Sequence, residues 1–233
     1  MPVLLELFCG TKSIGRVFDQ HGWDVISVDL LPRFEPTICK NVLDLTVEDI
    51  IAKLPKYRQT IDVIWASPIC TQYSISRNKG PPRDLIGSDK LVQKVLDLVA
   101  YFKVPFFMEN PQTGLLKGRD VVRGIPFRTI DYCQYADDTF SGRYRKRTAI
   151  WTNTNWMPKR ALCNPKTCHF CSDGKKHDHS SEDRCSQSGQ KRSRQKQLYK
   201  IPPALVEEFL GSVPYCVHSK PHLLHVTKRK DHD

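Results

Sequence analysis

The sequence has no apolar run of about 18 residues, the length of a helix that crosses a bilayer, so we expect no membrane span. The start of the chain also lacks the basic region of a secretory signal peptide, and Glu6 interrupts the apolar residues that follow Met1. Without an export signal, nine cysteines, an odd number, indicate reduced thiols and metal ligands rather than disulfides. We therefore expect an intracellular protein, with nucleus and cytoplasm left open.

Acidic residues are few relative to basic ones. The 36 lysines and arginines outnumber 25 aspartates and glutamates, which gives a formal charge of +11 and a pI near 9.2. This excess favours a polyanionic partner, although solvation of the surface accounts for part of it. With 233 residues and 39% hydrophobic content, the chain can form one full domain with a small addition.

A short apolar run, Val63 to Ala66, ends at Ser67-Pro68 and is followed closely by Cys70. Such a run, bounded by turn residues, predicts a buried strand, and proline cannot continue a central strand. Cys70 is therefore expected just beyond the carboxyl edge of a sheet, where open α/β folds bind their ligands. A free cysteine is more often an inert core residue than a nucleophile, so its neighbours must decide between the two interpretations.

Residues 3–29 show the pattern strand, glycine-containing turn, helix, strand and acid, which is typical of a nucleotide-binding βαβ unit. In this interpretation Gly10 allows close approach of a ligand, and Asp29 accepts hydrogen bonds from ribose hydroxyl groups. The spacing is not GxGxxG, because Lys12 and Ser13 occupy its middle, so a plain packing turn is the alternative.

Two further acids follow predicted elements. Asp44 precedes a predicted helix from Thr46 to Leu54; it could reach an adenine ring or be an ordinary loop acid. Glu109 follows a predicted strand, Val104–Met108, and is expected at the same sheet edge as Cys70 unless it is a surface acid in a turn. The other predicted elements are a helix at Ser88–Phe102, strands at Phe127–Tyr132 and Thr148–Thr152, and a helix at Ala204–Leu210.

Four motifs, in this order, resemble the cytosine-C5 DNA methyltransferase family, and most closely its compact phage and virus members. They match the family's cofactor turn, nucleophile loop, Glu-Asn motif and arginine motif over about residues 1–155. Each is weak alone, but their order is specific. The motifs are Phe8-Cys9-Gly10, Ser67-Pro68-Ile69-Cys70, Glu109-Asn110-Pro111 and Arg143-Tyr144-Arg145-Lys146-Arg147.

The resemblance implies an α/β, Rossmann-like class I fold that binds S-adenosylmethionine. It implies methyl transfer to C5 of a flipped-out cytosine in DNA, through a covalent adduct with Cys70. Glu109 would engage the base, and Arg145 and Arg147 would be supporting cations. The residues that would bind the cofactor are Phe8, Gly10, Thr11, Ser13, Ile14, Asp29, Asp44 and Pro68.

Several positions depart from the family pattern. Lys12-Ser13 replaces a glycine pair, Ile69 replaces the second proline of the nucleophile loop, and Arg143 replaces a glutamine. A C-terminal Gly-Asn-Ser-Val-like motif is also lacking. Two alternatives therefore stay open: the same chemistry on RNA, and an inactive homologue that only binds nucleic acid.

The C-terminal third is rich in cysteine and histidine. Cys163, Cys168 and Cys171 have the spacing Cys-x4-Cys-x2-Cys, which predicts a structural zinc site whose fourth ligand is Cys185 or His177. The alternative is a disordered basic loop that happens to contain cysteines.

We expect a monomer with four parts. They are a catalytic domain at 1–156, a basic Cys/His-rich insert resembling a target-recognition segment at 157–197, a helix packing on the catalytic domain at 198–222, and a tail at 223–233.

Overall fold

A seven-stranded sheet organises the computed structural model, which describes residues 1–77, 80–136, 144–177 and 200–213. The strands are β1 (Val3–Leu7), β2 (Asp24–Asp29), β3 (Ile38–Cys39), β4 (Val63–Ala66), β5 (Phe106–Pro111), β6 (Phe127–Asp131) and β7 (Arg147–Thr152). Their order is β3-β2-β1-β4-β5-β7-β6. The first five strands pair in parallel, and β7 runs antiparallel to both of its neighbours.

Local sequence signals set the helix ends. The helices are α1 (Ser13–Gln20), α2 (Val47–Ile51), α3 (Leu85–Phe102) and α4 (Pro203–Leu210). Thr46 and Asp49 form a reciprocal capping box at the start of α2. The side chain of Asp84 accepts a 2.7 Å hydrogen bond from the backbone N–H of Gly87, so α3 begins before the predicted Ser88.

Both faces of the sheet are buried, because the central strands are nearly continuous apolar runs and helices cover both sides. One face packs against α2 and α3, and the other packs against α1 and α4. On the second face, the ring of Phe209 in α4 lies 5.0 Å from Trp65, 4.9 Å from Phe107 and 4.7 Å from Trp156 between ring centroids. Burying one such phenylalanine contributes roughly 2–3 kcal/mol, so α4 is held on the sheet by apolar packing.

The predicted α/β, Rossmann-like fold is confirmed by this parallel sheet with helices on both faces. Strand β1 lies between β2 and β4, so the chain winds outward in two directions from it. A crevice opens at such a switch point beyond the carboxyl ends of the strands, which is where ligands bind. In the described parts of the chain, no helix is both long and apolar enough to cross a membrane.

Strand β5 is longer than the sequence predicted. It continues through Glu109 and Asn110 to Pro111, whereas the prediction ended it at Met108. The reason is its antiparallel partner β7, which pairs Ile150 with Glu109 and Ala149 with Asn110. Glu109 is therefore fixed within a strand rather than placed in a turn.

Candidate functional site

A cavity of about 670 Å³ opens at the switch point of the sheet. Most of the predicted cofactor residues line it: Phe8, Gly10, Thr11, Ser13, Ile14, Asp29 and Pro68. The lining does not include Asp44, which is exposed; Asn41, Val42 and Leu43 from the same turn line the cavity instead. Cys70, Glu109 and Lys146 line the cavity as well, so the nucleophile and the acid predicted from the sequence share one space with the cofactor turn.

The turn after β1 has an unusual backbone. Phe8, Gly10 and Lys12 all adopt left-handed conformations, with φ of 57°, 46° and 56°. Glycine suits such a position, whereas a lysine there is strained, by roughly 1 kcal/mol. The side chain of Lys12 donates a hydrogen bond to the carbonyl oxygen of Glu35, which ties the turn to the loop after β2.

Asp29, at the end of β2, fixes the same turn from the other side. Its Oδ2 accepts a 2.9 Å hydrogen bond from the backbone N–H of Gly10, and its Oδ1 accepts one of 2.9 Å from Leu31. The two strand ends therefore meet as one rigid wall of the cavity. The role that the sequence predicted for Asp29, contact with ribose hydroxyls, would use the lone pairs that remain on these two oxygens.

Glu6 is a cavity residue that the sequence analysis did not single out. It lies inside β1 with 2% of its surface exposed, and its Oε2 has no hydrogen-bond partner in the described structure. Burial raises the pKa of its carboxyl group to about 8, against the opposing effect of the backbone N–H groups of Gly15 and Ile14 at the start of α1. The available signal was an acid inside an otherwise continuous apolar strand, whose residues are buried on both faces of the sheet.

The loop that carries Cys70 is fixed to the end of β5. The side-chain amide of Asn110, fully buried, donates a 2.9 Å hydrogen bond to the carbonyl oxygen of Pro68. The carbonyl oxygen of Cys70 accepts backbone hydrogen bonds from Tyr73 (3.0 Å) and Ser74 (2.9 Å), which close a turn directly after the cysteine. The thiol is thus presented from a constrained turn at the cavity wall.

Arg83 holds the remainder of that loop. Its guanidinium group donates hydrogen bonds to the carbonyl oxygens of Gln72 (2.7 Å), Ser74 (2.8 Å) and Arg77 (2.8 Å). One cation therefore binds three carbonyl groups within six residues of the chain, immediately after the cysteine turn.

Glu109 is buried, with 7% of its surface exposed, and two side chains hold its carboxyl group. The ammonium group of Lys146 lies 3.2 Å from its Oε1, and the hydroxyl group of Tyr132 donates a 3.3 Å hydrogen bond to the same oxygen. The lysine ammonium also lies 4.8 Å from the centre of the Tyr132 ring. Burial, and then the charge of Glu109, raise the pKa of the neighbouring Tyr144 to about 12, so this hydroxyl stays protonated.

The charge balance around Cys70 follows from this arrangement. Burial is the main cause that raises the pKa of its thiol, and the carboxylate of Glu109 raises that pKa further. Lys146 acts in the opposite direction and favours the thiolate. The cavity therefore contains a thiol, a carboxyl group and an ammonium group whose charges influence one another.

The cation at this site is not one of the two arginines predicted from the sequence. Arg145 is exposed, and neither Arg145 nor Arg147 lines the cavity. Arg147 forms a two-pronged ion pair with Asp131, at 3.0 Å and 2.7 Å. Lys146 lies four residues before Ile150, and side chains an even number of residues apart along a strand lie on the same face. Ile150 pairs with Glu109, so Lys146 and Glu109 lie on the same face of the sheet.

The predicted zinc ligands are only partly brought together. Cys163 and Cys168 lie in a group with His177 and with Cys133, a residue that the sequence analysis did not consider. All four ligand atoms are within 4.8 Å of one another, and Cys171 is not part of this group. Cys185, and Arg143 of the arginine motif, lie outside the described residues.

No protein-family model matches the chain. The chain is 29% identical over 229 residues to a protein of Frog virus 3 (isolate Goorha) named "Probable DNA (cytosine-5)-methyltransferase". That alignment covers 89% of this chain and 98% of the viral protein.

Solved structures that match part of the chain include a prophage-encoded protein of E. coli assigned as a DNA modification methyltransferase. Its TM-score is 0.48 at 17% identity, over 65% of this chain and 46% of that chain. S. pombe Dnmt2 methyltransferase has a TM-score of 0.40 at 15% identity, over 71% of this chain and 53% of its own. The chain thus spans about half the length of these two structures. Over nearly its whole length, however, this chain is similar to a viral protein named as a cytosine-5 DNA methyltransferase.

Proposed function

We propose that this protein is a DNA cytosine-5 methyltransferase that uses S-adenosylmethionine. The observation that carries the proposal is that Cys70, Glu109 and Lys146 line the same cavity as the turn after β1 and the end of β2. A nucleophile, an acid and a cofactor-binding wall are what this reaction needs in one place. The name of the viral relative supports the same activity.

The cavity suits a ligand that has both an apolar ring and a positive charge. Phe8, Leu43 and Leu91 provide apolar lining, and Asp29 offers carboxylate oxygens at the strand end. The buried carboxyl group of Glu6 also lines the cavity, and an ammonium group of a ligand beside it would favour its ionised form and offer a donor to Oε2. S-adenosylmethionine has these features and supplies the methyl group to be transferred.

The chemistry begins with the Cys70 thiolate, which adds to C6 of cytosine and forms a carbon–sulfur bond. Electron density shifts onto the ring, and Glu109 stabilises it by sharing a proton with N3 and by accepting a hydrogen bond from the exocyclic amine. C5 then becomes nucleophilic and would form a bond to the methyl carbon of S-adenosylmethionine as the sulfur–methyl bond breaks, which leaves S-adenosylhomocysteine. Loss of the C5 proton and expulsion of the Cys70 thiolate restore the aromatic ring.

Access to this cavity requires the target base to leave its duplex. Cys70 is half-buried at the cavity wall, and no base inside a stacked helix could reach it. The net charge of +11 favours binding of the phosphate backbone during that step. Burial and Glu109 raise the pKa of the Cys70 thiol, and Lys146 acts against them in favour of the thiolate.

We also infer how the chain is divided. Residues 1–156 would form the catalytic domain, residues 157–197 a DNA-contacting insert, and 198–222 a supporting C-terminal segment before a tail at 223–233, in a monomeric intracellular enzyme. The packing of α4 on the sheet supports the role of the supporting segment. Residues 178–199 and 214–233 lie outside the described structure.

The test is to incubate the full chain with methyl-labelled S-adenosylmethionine and either duplex DNA or RNA, and to identify methylated nucleosides by mass spectrometry. We expect 5-methylcytosine in DNA with the wild type and with the Cys39→Ala control, and none with Cys70→Ala. Cys39 is exposed and does not line the cavity, so it is a matched cysteine control. Label in RNA alone would favour the RNA enzyme, and label in neither polymer would favour an inactive nucleic-acid-binding homologue.

A further inference from the structure

Four side chains outside the catalytic cavity have the geometry of a metal site. The sulfur atoms of Cys133, Cys163 and Cys168 and a ring nitrogen of His177 all lie within 4.8 Å of one another. Nε2 of His177 is 3.2 Å from the sulfur of Cys163 and 3.4 Å from that of Cys168. Around a tetrahedral zinc, with bonds of about 2.3 Å to sulfur and 2.0 Å to nitrogen, neighbouring ligand atoms are roughly 3.5–3.8 Å apart. The two nitrogen–sulfur distances are within about 0.3 Å of this spacing, and no two of the four ligand atoms are more than 4.8 Å apart.

We propose that Cys133, Cys163, Cys168 and His177 bind one structural zinc ion, and that this ion joins the C-terminal segment to the catalytic sheet. Three thiolates and one imidazole are soft and borderline ligands, which favour zinc over magnesium or calcium. Four protein ligands complete a tetrahedral shell, which is the arrangement of a structural site rather than a catalytic one.

The segment that contains three of these ligands has no core of its own. Across residues 157–177, all of which are described, the structure contains no helix or strand, and Cys163 is the one buried residue. Such a segment cannot be held in place by apolar burial alone. A metal ion would provide the missing stabilisation. Its ligands are far apart in the unfolded chain, so the free energy of metal binding adds to the free energy of folding.

The fourth ligand, Cys133, belongs to the catalytic part of the chain. It lies in the helical turn Tyr132–Tyr135 that directly follows β6, and it is buried with 4% of its surface exposed. The metal therefore cross-links two regions that are 30 residues or more apart in sequence. A zinc site formed by Cys163, Cys168 and Cys171, as their sequence spacing suggests, would not link this segment to the catalytic part of the chain.

The surroundings of the cluster connect it to the edge of the sheet. The backbone N–H of Cys163 donates a 3.0 Å hydrogen bond to Oδ2 of Asp131, a carboxylate with 1% of its surface exposed. Asp131 is in turn held by the two-pronged pair with Arg147 at the start of β7. Groups that hold a ligand in this way commonly change metal affinity by 10-fold to 100-fold when they are removed. Arg147 is thus a positioning residue that acts through Asp131.

Cys133 and Arg147 are each next in sequence to a residue that holds Glu109 in the catalytic cavity. Tyr132, which precedes Cys133, donates a hydrogen bond to Glu109. Lys146, which precedes Arg147, forms the ion pair with Glu109. Loss of the metal would therefore loosen the two side chains that hold Glu109. This last consequence rests on the proposed methyltransferase function, whereas zinc binding itself does not.

The first experiment measures bound zinc in the full chain after dialysis, by elemental mass spectrometry. We expect about one zinc per chain in the wild type and in the Cys171→Ser and Cys39→Ser controls. Cys133→Ser should lower zinc affinity at least about tenfold in competition with a chromophoric chelator, and Asp131→Asn should lower it by a similar factor without removing a ligand. A wild type without zinc would overturn the proposal, and so would a Cys171→Ser variant that loses zinc while Cys133→Ser retains it.

A second experiment needs no variant and so does not depend on a variant that folds. Thiol alkylation followed by peptide mass spectrometry compares the zinc-loaded chain with the chain treated with a chelator. We expect zinc to protect Cys133, Cys163 and Cys168, while exposed Cys39 is alkylated equally in both samples. Cobalt substitution should give the visible spectrum of a tetrahedral thiolate site. Equal alkylation of Cys133 with and without zinc would overturn its assignment, whatever the outcome of the methylation assay.

Discussion

The ammonium group of Lys146 lies 3.2 Å from Oε1 of Glu109, and both residues line the cavity that Cys70 also lines. This lysine is the cation that lowers the pKa of the Cys70 thiol, whereas burial and Glu109 raise it. The thiol needs to be ionised to attack cytosine. Lys146 therefore influences both the nucleophile and the acid of the proposed reaction.

Replacing Lys146 with methionine should slow methyl transfer at neutral pH. The pKa of Cys70 would rise further, so a smaller fraction of the thiol would be ionised at a given pH. If that pKa rises by about 1, the rate at neutral pH falls by about tenfold. The rise of kcat with pH should accordingly move to higher pH in Lys146→Met.

The matched control for this variant is Arg145→Met, which removes an exposed cation one residue away. In Arg145→Met, the rise of kcat with pH should have the same midpoint as in the wild type. The role assigned to Lys146 would be wrong if both variants, assayed from pH 6 to 10, gave the same profile as the wild type.

Asn110→Ala should reduce kcat far more than it reduces affinity for S-adenosylmethionine. The amide of Asn110 holds the carbonyl of Pro68 at 2.9 Å, two residues before the nucleophile. A displacement of about 1 Å at the reacting atom can lower a rate by roughly 100-fold. The measurement is kcat together with cofactor affinity by calorimetry.

Asn153→Ala is the control for loss of structural hydrogen bonds. Asn153 bonds to the backbone of Phe106 and Val104 at the opposite end of β5, far from Pro68. This variant should lose about 1–2 kcal/mol of stability but keep its kcat below the melting transition. Equal losses of kcat in both variants would argue against a specific role for Asn110.

Glu6→Gln should change how stability depends on pH. Burial raises the pKa of Glu6 in the folded chain to about 8, above its ordinary value of 4.5. Its favourable contribution is therefore fully present below about pH 4.5 and is lost as pH rises through 8. Between pH 5 and 9 the wild type should lose stability relative to Glu6→Gln, by up to about 1.4 kcal/mol per pH unit.

Urea unfolding at pH 5, 7 and 9 measures this difference, with Glu48→Gln as a variant that removes an exposed carboxylate instead. If the free energies of unfolding of wild type and Glu6→Gln changed in parallel with pH across this range, the carboxyl group of Glu6 would not have the raised pKa described above.

Gly15→Ala should destabilise the start of α1. A Cβ at this position would lie 2.6 Å from Oε2 of Glu6 and 2.9 Å from Cγ1 of Val25. Overpacking of this kind costs about 1–3 kcal/mol. Gly118→Ala adds the same atom where nothing lies within 4 Å, so its melting temperature should stay close to that of the wild type. Similar melting temperatures for both variants would contradict the close packing of Gly15 over Glu6.

Apart from β5, which runs on to Pro111, the predicted strands ended close to their observed ends, because proline, glycine and acidic residues interrupt apolar runs at fixed places. Cys70 and Glu109 were assigned to one sheet edge on that basis, and the structure has both in one cavity. The choice between Lys146 and Arg147 could not be made in the same way. It depends on the register of β7 against β5, which pairs Ile150 with Glu109, and a sequence of basic residues does not reveal register.

The proposed ligand Cys133 could not be predicted from the sequence for a related reason. Its neighbours in sequence, Tyr132 and Gln134, give no metal-ligand spacing, and its partners come 30 residues later. The pattern Cys-x4-Cys-x2-Cys made Cys171 the more obvious ligand. Only the folded positions of β6 and of the segment containing Cys163 bring Cys133 into the group.

The most direct test of the proposed reaction uses DNA that contains 5-fluorocytosine, together with S-adenosylmethionine. Fluorine at C5 cannot leave as a proton does, so the Cys70–C6 bond cannot be broken after methyl transfer. We predict a protein–DNA complex that survives denaturation, with the modified base mapped by mass spectrometry to Cys70. A chain that forms no such complex while binding both cofactor and DNA, or one that forms it at another cysteine, would contradict the mechanism.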